Sequence, residues 1–422
     1  MFLRSLRVGW FLTLRYLRRG SRWASLLIVA IMFLTFLNVV VVRGVLVGLP
    51  IGASISYERE YSGQVLVTPL SNQRHIDRTT YVEQLVSATP GYRDHSARYL
   101  ATGVVRADYA RPQKASLLPD QVGATLAGID PASEDRVTRL SDLVVEGRYL
   151  EENDTNALLI GSQLLERYAG DVPESGGTPE TSGSIAGVFA GDTVRLTIGD
   201  VVGEYTVVGV VEGKVGENSR RIFMVDRHLR KVLGRGIDKK DELAIALVPD
   251  TPGEDFVRSL RQAGLTEFAT VQTANESQGK FLDDITDTFD LLGNGVGLIG
   301  IIVAAITVFI MIFIVALNRQ KQIGILKGIG INRLTIESSY VFLSIAYAFV
   351  GIGLGVLVLY GIIAPYVAQH PIDFPFADGI LVAPWNDTLA RALILVGTTL
   401  IAGYLPARII VQKHTIDAIL GR

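Results

Sequence analysis

Cysteine is absent from all 422 residues. That excludes disulfides, thiolate metal sites and a cysteine nucleophile. No G-x-x-x-x-G-K-[ST] run occurs; Gly279–Lys280 is followed by Phe281 and lacks the glycine loop. ATP hydrolysis on a P-loop is therefore not expected of this chain, and no cofactor is expected on it. HExxH and GxSxG are also missing, and His75, His95, His228, His370 and His414 stand far apart. Metal or serine-hydrolase chemistry has no foothold in such a pattern. Asp283, Asp284 and Asp287 fall on one probable helix face and are read as solvated carboxylates. There is little net charge, with 40 Lys and Arg against 42 Asp and Glu, and nothing favours nucleic acid. Charge is missing altogether from two long runs, Leu291 to Leu317 and Ser338 to Gln369. Each exceeds the roughly 20 apolar residues that a membrane helix needs.

What is present fits a membrane part joined to a sizeable water-facing part: 49% of residues are hydrophobic and the mean hydropathy is +0.34. Residues 1–23 carry six arginines and no acid. Leu3, Leu6, Trp10, Leu14 and Leu17 recur at three- and four-residue steps, the mark of a basic amphipathic helix on a membrane surface. Residues 24–49 form a first membrane helix, read as a retained anchor and not as a cleaved leader. Arg43 near its far end either snorkels to the interface or pairs inside a helix bundle.

Residues 50–290 read as a mixed α/β water-facing domain. Strands are expected at Gln64–Thr68, Tyr99–Ala107, Thr125–Ile129, Ala157–Ile160, Thr193–Ile198, Tyr205–Val211, Arg221–Val225 and Leu243–Val248. Helices are expected at Arg78–Ala88, Ser162–Ala169, Asp226–Leu233, Glu254–Ala263 and Ser277–Asp290. Ala169 to Gly191 is rich in Gly, Ser, Thr and Pro and reads as an excursion within the domain.

The second membrane helix spans 291–317, with Gly293, Gly295, Gly297 and Gly300 near its start as a close-packing face. A loop at 318–337 and a third helix at 338–369 follow; Gly351 and Gly355 give that helix a small-residue packing face. Residues 370–388 form a short loop, 389–407 a fourth helix with Arg391 snorkelling outward, and 408–422 a tail. The basic segments at 1–23, 318–337 and 408–422 fall on one side, and Asp373, Asp378 and Asp387 on the other. The positive-inside rule then places both termini in the cytoplasm of a cell membrane. The fold class is an α-helical membrane protein with four transmembrane helices. A large extracytoplasmic α/β domain is inserted between helices 1 and 2.

The loop carries Arg319, Ile323, Gly324, Lys327 and Gly330 in the spacing R-x-x-E-I-G-x-x-K-A-x-G, with Gln322 for Glu and Gly328 for Ala. The tail carries Pro406, Ala407 and Arg408, then Ile416, Asp417 and Ala418 at the spacing of P-A-R followed by P-I-E-A-L. On these motifs, in this topology, the chain resembles the FtsX-like, or MacB-type, permeases of ABC systems, with 291–411 as the permease domain. The stretch EGRYLEENDTNALLIGSQLLERYAG, with AGDTVRLT and YTVVGVV after it, looks like their periplasmic core domain with its second small lobe. LRYLRRG and YEREYSGQVLV lean toward the lipoprotein-releasing members.

The resemblance implies a separate cytoplasmic ATPase subunit that binds the ATP, and a second permease chain, identical or homologous. It implies contact with membrane lipid and with an extracytoplasmic adaptor or substrate protein. It also implies that the loop is a coupling helix. Ile323, Leu326 and Ile329 would then form an apolar stripe for a groove on the ATPase, with Arg319, Lys321 and Lys327 pairing with acids at its rim. Gln322 cannot replace a carboxylate in a salt bridge, and Gly328 weakens the helix by about 0.5–1 kcal/mol relative to alanine. The implied work is mechanotransmission: ATP-driven motion reaches the external domain and expels a lipoprotein, a hydrophobic compound or a peptide. The alternative is a non-transporting transmitter that regulates a cell-wall hydrolase or sensor. A membrane-anchored binding domain with no ATPase is a third possibility.

Overall fold

The computed structural model describes residues 2–19, 22–107, 120–168, 183–374 and 377–412. Most of the Ala169–Gly191 excursion and the tail motif beyond Gln412 lie outside them. The chain divides into two compact units: Met1–Pro50, Asp284–Ile372 and Gly379–Arg422 make the first, and Ile51–Asp283 with Asp373–Asp378 the second.

In chain order the helices used below are α1 (Phe2–Arg19), α2 (Ser25–Ser62), α3 (Thr79–Ala88), α4 (Pro131–Thr138) and α5 (Asp226–Leu233). They continue with α6 (Gly253–Gln262), α7 (Lys280–Asn318), α8 (Gln320–Gly328), α9 (Arg333–Gln369) and α10 (Trp385–Gln412). Four of these are long and apolar enough to cross a membrane: α2, α7 from Asp284, α9 and α10.

The first helix, expected to end at Leu49, is corrected. It runs on through Pro50 to Ser62, with π turns at Asn38–Val42 and Glu58–Ser62. A π turn inserts an extra residue, and such turns let a helix absorb a local misfit without ending. The second helix likewise begins not at Leu291 but at Lys280, directly after Gly279, whose positive φ of 65° ends the turn before it. The loop at 370–388 holds a small strand pair, Ile372–Phe374 with Ala377–Gly379.

Helix α9 is the hub of the first unit, packing on α1, α2 and α10. One continuous core joins Met32 and Phe36 of α2, Val308 and Ile312 of α7, Tyr340 and Leu343 of α9, and Leu395 and Ile410 of α10. Gly351 and Gly355 of α9 stand where α2 crosses. A methyl group on Gly351 would lie 2.6 Å from the Met32 Cβ and 3.0 Å from the backbone of Phe33 and Val29. One on Gly355 would overlap the Phe36 ring. Between spanning helices, where burial from water no longer drives association, such close approach supplies the attraction.

The second unit is a ten-stranded mixed sheet. Its strands are β1 (Val65–Thr68), β2 (Tyr92–Arg106), β3 (Gln121–Ile129), β4 (Val144–Gly147) and β5 (Ala157–Gly161). The others are β6 (Thr193–Ile198), β7 (Val201–Val211), β8 (Arg221–Val225), β9 (Glu242–Leu247) and β10 (Thr270–Thr273). They lie in the order β10-β1-β9-β2-β3-β8-β5-β7-β4. β6 pairs with both β7 and β2, so β2, β3, β8, β5, β7 and β6 close into a ring. Val105, Leu126, Leu158, Ile160, Leu196 and Val207 share its core.

The long β2 leaves that ring to pair, through residues 92–98, with β9. There β10, β1, β9 and β2 form an open sheet. Val65, Val67, Leu243 and Ile245 pack from one face of it onto α3 and α6. The helix expected at Ser162–Ala169 is corrected to a single 3₁₀ turn, Ser162–Leu164, because Leu165 and Tyr168 turn into the ring core.

The opposite face of the open sheet holds a buried ionic cluster. Arg98 of β2 is 1% exposed and donates to Glu134 of α4 at 2.6 and 3.0 Å, to Glu242 of β9 at 3.3 Å, and to the Tyr61 carbonyl at 2.6 Å. Arg221 donates to both Glu242 oxygens at 3.2 Å and to the Tyr61 hydroxyl at 2.7 Å. Ser96 and Thr138 donate to the remaining Glu134 positions. Two positive and two negative charges are thus matched and fully hydrogen-bonded, the condition under which burial of charge is tolerated. Tyr61 belongs to the last turn of α2, so the cluster fixes the point where that helix ends.

Candidate functional site

The segment expected to couple forms helix α8, capped by geometry that its sequence dictates. Gly330 adopts φ 89°, a conformation that costs a residue with a Cβ but not glycine. The N–H of Gly330 bonds to the Lys327 carbonyl at 3.1 Å and that of Ile331 to the Leu326 carbonyl at 3.0 Å. This pair of bonds is the Schellman ending of a helix. Asn332 then opens α9, its side chain accepting from the Leu334 N–H at 3.2 Å.

The faces of α8 correct the expected stripe. Ile323 is 1% exposed within the helix core, Gly324 is buried and Leu326 packs against that core. Lys321, Gln322, Ile325, Gly328 and Ile329 face outward, with Ile325 57% and Ile329 71% exposed. The reason is angular. Residues advance about 100° each, so three-residue steps rotate steadily away from one face while four-residue steps nearly return to it. Lys321, Ile325 and Ile329 are four apart; Ile323, Leu326 and Ile329 are three apart. Sequence reasoning missed Ile325, although the four-residue step from Lys321 to Ile329 passes through it.

Two of the three cations expected at the rim are turned inward as well. The Arg319 guanidinium lies 4.3 Å from the centre of the Tyr16 ring of α1, and Tyr16 stacks on Tyr340 of α9 with centroids 5.9 Å apart. The Lys327 ammonium donates to the Val411 carbonyl of α10 at 2.8 Å. Helix α1 is itself held to α9 by the buried Thr13 hydroxyl, which donates to the Ser339 carbonyl at 2.9 Å.

Residues 294–415 match the family described as the FtsX-like permease C-terminal domain. The chain carries an FtsX-like permease domain. Over 129 residues it is 27% identical to the macrolide export ATP-binding/permease protein MacB of Rhodopseudomonas palustris (strain BisB18), covering 31% of this chain and 19% of that protein. Over 290 residues it is 23% identical to the uncharacterized ABC transporter permease MJ1507 of Methanocaldococcus jannaschii, covering 66% of this chain and 65% of that one. The match spans less than two thirds of either relative.

Two solved structures are also similar. The extracellular domain of the noncanonic ABC-type transporter YknZ from Gram-positive bacteria aligns over 50% of this chain and 97% of its own, at 14% identity and a TM-score of 0.32. The periplasmic region of MacB from Actinobacillus actinomycetemcomitans aligns over 54% and 97%, at 12% identity and a TM-score of 0.34.

In the FtsX-like domain the motif positions thus divide. Arg319, Ile323, Gly324 and Lys327 hold α8 to its own helices, Gly330 ends it, and Lys321 and Gln322 remain on the outward face with the two isoleucines. At the far end of α7 from α8, Arg43 pairs with Asp387 at 2.7 Å and Asp290 at 3.3 Å and donates to Asn294 at 3.2 Å. Pairing, not snorkelling, is the outcome for Arg43. Arg391 donates to the same Asp387, one turn nearer the start of α10, at 3.1 Å and to Asn294 at 3.4 Å. A shared carboxylate between two guanidinium groups costs less than leaving either cation alone beside apolar helices. Gly293, Gly297 and Gly300 of α7 face Arg43, Arg391 and Asn38 respectively, so the glycine face makes room for this polar group. No cluster of metal-ligating side chains occurs among the described residues.

Proposed function

We propose that this chain is the membrane subunit of an ABC-type complex and that α8 docks on a separate ATPase subunit in the cytoplasm. The observation that carries the reading is the outward face of α8. Ile325 and Ile329 stand exposed on a short, capped helix, flanked by Lys321 and Gln322, within an FtsX-like domain. Two exposed isoleucines four residues apart suit helix-in-groove docking, with a charged neighbour to steer the approach. On this reading ATP hydrolysis falls to the partner, since these 422 residues offer no glycine loop to cradle phosphates.

Two such permease chains, identical or homologous, would complete the complex, with both termini cytoplasmic and the inserted α/β domain outside. The long helices carry few ionisable groups at depth, which argues against an ion path. The work is then mechanical: ATP-driven closure of the ATPase moves α8, the helices repack, and the external domain expels a lipid-anchored, hydrophobic or peptide substrate.

The test is co-purification from the native cell in mild detergent. An ABC ATPase is expected with the unaltered chain. At least a tenfold loss is expected with Ile325→Asp/Ile329→Asp, since each substitution places a charge in an apolar contact. Recovery of no ATPase with the unaltered chain, or equal recovery with the variant, would overturn the reading.

A further inference from the structure

The docking face of α8 lies between two attachments, and they differ in kind. At its start, Arg319 rests on the Tyr16 ring of α1, a soft contact between a cation and a π face. At its end, the Lys327 ammonium donates to the Val411 carbonyl. Val411 is a residue of α10, so this bond ties the last turn of α8 directly to the backbone of that helix. The acceptor is firmly held: Ala407, Ile410 and Val411 are buried, in the same core as Ile323 of α8. A force on Ile325 and Ile329 therefore cannot be absorbed by α8 sliding alone, because its last turn is tied to α10.

We infer that Lys327 is a positioning residue that hands movement of α8 to the last membrane helix, α10, through the Val411 carbonyl, and that it takes no part in gripping the ATPase. The inference rests on the docking reading above. An exposed lysine at a docking rim would contribute little and tolerate loss. A half-buried ammonium on the carbonyl of a buried residue is a mechanical link that only a cation of similar reach can replace.

The absence of cysteine makes the test clean, since introduced cysteines are the only labelling sites. Leu334 at the start of α9 and Ile409 of α10 are 51% and 50% exposed and lie off the docking face. Spin labels on Leu334→Cys and Ile409→Cys report the distance between the two helices in nanodiscs, in the complex with the co-purified ATPase. ATP with vanadate is expected to shift that distance in the otherwise unaltered chain and in Lys327→Arg. Lys327→Met is expected to lose more than half of the shift while recovering the ATPase within twofold of the unaltered chain. Loss of the ATPase from Lys327→Met would make Lys327 a docking residue and overturn the inference. A full shift in Lys327→Met, or no shift in the unaltered chain, overturns it equally.

Should no ATPase co-purify, the docking reading fails by itself and the permease alone decides the link. Amide exchange at residues 408–412 at least threefold faster in Lys327→Met than in Lys327→Arg supports the tie. Equal exchange in the two variants overturns it.

Discussion

Replacing Arg98 by methionine should cost the inserted domain about 3–5 kcal/mol, the usual penalty for breaking a buried ion pair from one side. Glu134 would keep Ser96 and Thr138 but lose its counter-charge, and Glu242 would keep Arg221 and the Tyr61 hydroxyl. Arg98→Met/Glu134→Leu should recover much of the loss, because apolar replacement of both partners leaves no stranded charge. Thermal unfolding of the full chain in nanodiscs, followed by circular dichroism, reads the effect. Trp10, Trp23 and Trp385 all lie in the other unit, so their fluorescence is an internal control that should not move.

The effect depends on pH with a definite sign. Burial alone would raise the Glu242 carboxyl, but Arg221 and Arg98 outweigh it and hold the group down at about 2. Glu134 is lowered in the same way: burial opposes ionisation, and Arg98 outweighs it. A carboxylate depressed in the folded state adds stability above its ordinary pKa and loses it as pH falls toward the folded value. The native domain should therefore weaken between roughly pH 4.5 and 2. The Arg98→Met penalty should be largest near neutrality and shrink on acidification, when Glu134 can be neutralised. A penalty that is flat with pH would mean that the cluster contributes packing and not charge.

The second large effect belongs to the membrane helices. Gly351→Val should separate α2 from α9, since the added atoms meet Met32 Cβ and the backbone of Phe33 and Val29, which no side-chain rotation can clear. Overpacking of this kind costs about 1–3 kcal/mol or more. Gly353→Val, two residues away, meets nothing within 4 Å and should be close to neutral. Gly355→Ala should also destabilise, because its methyl overlaps the buried Phe36 ring. Melting of the three tryptophans reports all of these variants, and an equal loss at 351 and 353 would show that valine harms α9 by propensity alone.

The four spanning helices were legible because long uncharged runs have few other uses. Their ends were not. The first span was expected to end at Leu49, yet α2 runs through Pro50 with π turns on either side, and the helix expected at Ser277–Asp290 is continuous with the second span in α7. The eight expected strands are the interior of the sheet; the two that escaped notice, β4 and β10, are its edges. Each has four residues, too few for an alternating pattern to show. Helix α4 escaped as well, being eight residues of mostly polar sequence opened by the Asp130 cap. The ionic cluster could not be read at all, for it joins Tyr61, Arg98, Glu134, Arg221 and Glu242 from five separate elements. On α8 the residue types were legible and the facing was not. Only the packing of Ile323 into the helix core fixes which isoleucines remain for a partner.

The most direct test of the central claim is photocrosslinking from single positions on α8 in native membranes. A benzophenone side chain at 325 or 329 should give an adduct with an ABC ATPase, and the same side chain at 323 should give none. Adducts from 323 with silence at 325 and 329 would contradict the assignment of the face. Silence at all three in membranes that contain the ATPase would contradict the docking itself.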